Sequence, residues 1–129
     1  MTTWLPDIAP DFDAVFGLRP DLYAAYRAFA DVFYAHDLLD PVVLDLCRER
    51  VDVLLRSAPR SAEADLTEAQ HACVTLAEQF VIDPHGVTAE QRAAVIDHFG
   101  EAGLVALVEA LAVFDGFTRF RIILGIREP

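Results

Sequence analysis

The sequence predicts an all-α protein, a bundle of about five helices, on three observations. Apolar residues recur at steps of three and four through most of the chain. Two Thr-x-x-Gln segments and one Asp-Pro pair mark helix starts. No stretch shows two-residue alternation bounded by turn residues, which a sheet would need.

The first nineteen residues carry Trp4, Leu5, Ile8, Phe12 and Phe16 among Pro6 and Pro10, without helical continuity. Aromatic groups spaced among prolines can dock without forming a helix. An extended lead-in is expected over 1–19, lying across the bundle or a neighbouring subunit, with a loose tail as the alternative. Residues 20–129 are read as one helical domain.

Its first helix is expected from Pro20 to about His36, since proline at the first helical position loses no hydrogen bond. Leu22, Tyr26, Phe29 and Phe33 then form an aromatic-rich stripe, read as core packing rather than a ligand wall. Asp40-Pro41 caps and opens a second helix to about Arg56. Val43, Leu46, Cys47, Val51 and Leu54 make its apolar face, with Arg50 near the centre of that face. Asp45, Arg48, Glu49, Asp52 and Arg56 lie opposite, and Asp52 and Arg56 are a favourable pair at four-residue spacing.

Ser57-Ala58-Pro59-Arg60-Ser61 ends that helix. Thr67-Glu68-Ala69-Gln70 opens a third with a capping box, and Asp83-Pro84-His85-Gly86 stops it. Thr88-Ala89-Glu90-Gln91 repeats the device for a fourth helix ending near Phe99-Gly100. From Glu101 to Leu124 a long helix is expected, with a bend allowed at Gly116 and an end at Gly125. It is apolar nearly all round as far as Val113, which suits a bundle centre or a subunit interface.

A chain of 129 residues has room for one core. Hydrophobic residues reach 54%, an excess that a monomer this small struggles to hide, so a homo-oligomer is expected as a dimer, trimer or hexamer. Net charge is −11, which repels polyanions and makes nucleic acid and anionic membrane poor partners. All ten basic residues are Arg; the absence of Lys removes Schiff-base and phosphate-loop lysine chemistry. No signal-peptide pattern opens the chain and no apolar run is long enough to span a membrane, so a cytoplasmic location is expected. Cys47 and Cys73, the two cysteines, are read as reduced core thiols, with a disulfide as the alternative.

The order of these elements resembles the carboxymuconolactone decarboxylase family, which includes the alkylhydroperoxidase-D-like proteins. The resemblance runs over residues 40–126. It rests on Asp45 ahead of Arg50-Val51 on one helix, the Thr-capped Ala- and Glu-rich helix after it, and His98-Phe99-Gly100-Glu101-Ala102-Gly103-Leu104-Val105. Phe114-Asp115-Gly116-Phe117-Thr118-Arg119 and Leu124-Gly125-Ile126 complete it. Redox members of the family would place cysteines near Ser57 and Arg60 and a histidine near Ala64, and this chain has none of the three. Peroxidase chemistry of that kind needs a thiolate and a resolving thiol three residues away. The resemblance therefore implies a member without the redox dithiol, akin to decarboxylase members that work at a subunit interface without metal or organic cofactor.

Arg50 is the first candidate substrate-binding residue, because a guanidinium on an apolar face needs a counter-ion and can grip a carboxylate with two hydrogen bonds. Its alternative is an internal ion pair with Glu78, Glu109 or Asp115. Asp45 takes the slot of the family's proton-relay acid; its alternative is a solvated acidic face with Glu49 and Asp52. His71, Thr75 and Glu78 share one side of the third helix, so His71 and Glu78 are candidate proton-transfer groups or a surface pair. Two such ligands are too few for a metal. Glu109, amid Leu107, Val108 and Leu111, is expected to be buried and paired with Arg50 or Arg121, and Asp115 with Arg119. His85 and His98 are read as structural.

The functional expectation is a cofactor-free enzyme moving protons on a small anionic substrate in an interfacial pocket. Asp45, His71 and Glu78 would be catalytic, and Arg50, Glu109 and Arg119 would bind substrate. Two alternatives stay open: a non-catalytic binding or scaffold protein of the same fold, and peroxidase activity through Cys47 or Cys73.

Overall fold

The computed structural model describes residues 5, 7–34, 37–56 and 65–126, with the side chain of residue 34 left aside. Helices α1 (Phe12–Phe16), α2 (Pro20–Tyr34), α3 (Pro41–Arg56), α4 (Glu68–Ile82) and α5 (Ala89–Leu124) follow in order, with a 3₁₀ turn at Pro84–Gly86 before α5. No strand occurs among the described residues, so the all-α class holds. Expectations for Trp4, Pro6, His36 and the 57–64 linker fall outside the described residues.

Local chemistry sets the helix starts as the sequence indicates. The Asp40 carboxylate accepts from the Val42 N–H at 2.9 Å ahead of Pro41. Thr67 accepts from the Gln70 N–H at 3.1 Å, and the Gln70 side chain accepts from the Thr67 N–H at 3.0 Å. Thr88 and Gln91 form the same reciprocal pair at 3.1 and 2.9 Å. Within α3, Arg56 Nε donates to Asp52 at 2.6 Å, one turn away.

The expected break between a fourth helix and a long fifth one is present as a single non-helical residue inside α5. Gly100 has φ 76° and ψ 176°, a region open essentially only to glycine. Helical dihedrals persist through Gly116, where a bend was allowed. Gly103 sits on the turn after the break, and a Cβ there would collide with the Cβ of Phe99. Gly125, with φ 67°, closes α5.

The chain divides into two compact units, Met1–His36 with Phe117–Pro129, and Asp37–Gly116. In the second unit α3 packs along α4. Cys47, Val51, Cys73, Ala77, Val95, Leu107, Ala110 and Leu111 are wholly withdrawn from solvent there. Leu44 joins the buried face of α3, which the expected stripe omitted.

The first unit departs more from expectation. Residues 12–16, expected to be extended, form α1, capped by Asp11, whose carboxylate accepts from the Ala14 N–H at 2.8 Å. The helix is set by its aromatic rings: Phe12 and Phe16 each lie within 5.9 Å of Tyr26, Phe117 and Phe120, and the Arg121 guanidinium sits 4.3 Å over Phe12. On α2 the expected stripe does not hold as one core face. Phe33 is buried and Tyr26 half-buried, but Leu22 and Phe29 are exposed.

A Gly100→Ala change tests the break directly. Nothing lies within 4 Å of the added Cβ, so any loss reports the dihedral alone. Urea unfolding should show about 1–3 kcal/mol lower stability; an unchanged midpoint would mean the chain does not need that conformation.

Candidate functional site

Arg50 is the charged side chain most withdrawn from water among the described residues, at 5% exposure, because the apolar face of α3 carries it into the α3–α4 seam. A guanidinium there must keep its charge and must find an acceptor. Its Nη1 donates to Glu78 Oε1, contributed by the middle of α4. The Glu78 side chain retains 27% exposure against 6% for that of Arg50, so the pair is dry on the cation side and reaches water on the carboxylate side. Removing one partner of a fully buried pair costs about 3–5 kcal/mol, and the wet edge at Glu78 places this one below that range.

One turn before Arg50, Cys47 is fully buried, and so is Cys73 on α4. Burial, then the proximity of Cys73, pushes the Cys47 thiol up to about 12, with the nearby Arg50 charge partly offsetting them. Burial pushes Cys73 up to about 11. The fold thus brings the two sulfurs within electrostatic reach, but in surroundings that hold both as thiols. A nucleophilic cysteine needs the opposite environment.

The remaining candidates do not converge on this centre. Asp45 lies on the outer face of α3, its carboxylate 3.6 Å from Arg48 with 70% side-chain exposure, the solvated alternative. His71 is exposed, Thr75 is half-buried, and only Glu78 of that helix side turns inward to Arg50. Glu109 is exposed, which corrects the expected buried carboxylate. Its neighbours Val105 and Val108 are also exposed, so among the described residues this face of α5 is open to solvent. Arg119 is exposed too. Arg121 spends its charge on the Phe12 ring and donates to the Phe117 carbonyl oxygen at 3.3 Å.

Two features go beyond the roles expected from the sequence. Tyr23 donates to Asp13 at 2.6 Å while accepting from Arg27 at 3.0 Å, which ties α1 to α2. Thr118 is buried at 6%. The one-turn spacing of Tyr23 and Arg27 was readable, but the partner ten residues away was not.

Among the described residues no group of three or more His, Cys, Asp or Glu could hold a metal ion. No helix there is long and apolar enough to cross a membrane. Every buried side-chain nitrogen or oxygen among them has a hydrogen-bond partner. No protein-family model, curated protein or solved structure matches the chain.

The raised thiols make stability depend on pH in a defined direction. Unfolded, both titrate near 9.0; folded, near 12 and 11. Above pH 9 the unfolded chain sheds protons that the folded chain keeps, so the contribution is complete below pH 9 and lost as pH climbs towards 12. With no Lys in the chain, urea midpoints between pH 8 and 11 should fall, and fall less in a Cys47→Ala/Cys73→Ala double variant. An equal fall in both would contradict the assignment.

Proposed function

We propose that this chain is a non-catalytic, self-associating helical protein of carboxymuconolactone decarboxylase-like descent, cytoplasmic, in which the redox dithiol is lost and the polar centre holds the fold together. The observation that carries this reading is the closure of Arg50 by Glu78 inside one chain. An enzyme gripping an anionic substrate would keep that guanidinium available and bring proton-transfer groups to it. Here Asp45 and His71 face solvent, and Cys47 and Cys73 are held protonated. The same thiol environment argues against peroxidase activity through either cysteine.

One observation favours the second reading, a cofactor-free enzyme acting on a small anion. The Glu78 carboxylate is the exposed member of the pair, so a substrate carboxylate could replace it on Arg50 from the solvent side. Glu78 would then be the displaced gate rather than a base.

Thermal unfolding with small mono- and dicarboxylates separates the two. A ligand held at a hundred times its Kd adds about 2.7 kcal/mol of stability. Wild type and Glu78→Gln should show no saturable shift. A saturable shift that is larger in Glu78→Gln and absent in Arg50→Met would replace the scaffold reading with the enzyme.

A further inference from the structure

We infer that a second copy of this chain docks on the exposed apolar stripe of α2, pairing α2 with its counterpart in antiparallel fashion about a two-fold axis. The inference rests on the self-association in the proposed function and assigns it a surface.

Leu22, Ala25, Phe29 and Val32 are all exposed on α2, Val32 at 73%. They recur at steps of three, four and three, the spacing of a helix–helix seam. They adjoin, rather than form, the face that carries Tyr23 and Tyr26 against Phe16 and Phe117 and that holds the buried Phe33. A helix of fifteen residues with a single fully buried side chain among those described is marginal on its own in water.

Three features select a second copy as the occupant. The spacing reads the same in either direction, so an antiparallel partner sets Leu22 against Val32 and the small Ala25 against the large Phe29, twice over. That is the self-complementarity a two-fold contact requires. Charge is the second. On a chain of net charge −11, two copies can meet closely only where carboxylates are absent. Arg27 and Asp31 lie on other sides of α2, Arg27 bonded to Tyr23, and Asp21 at the stripe's margin is paired with Arg19 at 3.2 Å. The exposed face of α5, by contrast, mixes Val105 and Val108 with Glu101 and Glu109, which like copies would set against each other. Area is the third. With Leu18 at 52%, the stripe leaves on the order of 400 Å² of apolar surface in water, within the range of functional patches. That is about the apolar share of an interface of roughly 800 Å² per partner.

Sedimentation velocity on the full chain is the test, with Val32→Glu on α2 and Val105→Glu on α5. Wild type and Val105→Glu should sediment at twice the 14.3 kDa chain mass, and Val32→Glu as a monomer with an unchanged helical circular dichroism spectrum. A Val32→Glu dimer would overturn the α2 surface while leaving self-association intact. A wild-type monomer would overturn both. If Val32→Glu fails to fold, mixed Leu22→Cys and Val32→Cys chains decide the matter. Under a mild disulfide oxidant they should cross-link to each other in preference to themselves, and absence of that cross-link counts against the pairing.

Discussion

A guanidinium drawn into the α3–α4 seam constrains everything around it. Arg50 cannot return to water without lifting the face of α3 that carries Cys47 and Val51. Glu78 is therefore not a decoration of α4 but the group that lets two apolar faces meet over a charge. The surrounding thiols follow from the same dryness. What stabilises the seam also keeps the sulfurs protonated, so sulfur chemistry and a sealed seam exclude each other here.

Around that seam the chain is punctuated by short-range devices. Asp40-Pro41, the two threonine capping boxes and the positive-φ glycines at 100 and 125 decide where helices begin and stop. The caps act through neighbours two or three residues away, and the glycines through their own dihedrals. They fix element boundaries at small energies, about 1 kcal/mol per cap, while burial of the seam supplies the larger share.

Because capping is local, it was legible in the sequence: α3 spans Pro41–Arg56 as expected, and α4 starts after Thr67. The identity of a buried charge's partner was legible only as a set of three, since Glu78, Glu109 and Asp115 all stood at plausible places. Glu109 departs from its expected burial for a physical reason. Apolar neighbours show that a helix face dislikes water but not whether the chain has another element left to cover it, and on α5 that face stays exposed. The same gap explains α2, where Leu22 and Phe29 looked like core beside Phe33. Helix α1 is not legible in the sequence because five residues carry too little periodicity, and the rings that hold Phe12 and Phe16 come from Tyr26, Phe117 and Phe120, on other helices.

The coupling between Arg50 and Glu78 decides whether the seam is closed by its own charge pair. A double-mutant cycle of Arg50→Met, Glu78→Gln and both together, read by urea unfolding, isolates it from each residue's own burial. The coupling should be about 1–3 kcal/mol, with the double variant less destabilised than the sum of the single ones. Additivity within about 0.5 kcal/mol would contradict it, leaving Arg50 without the internal tie that closes the seam.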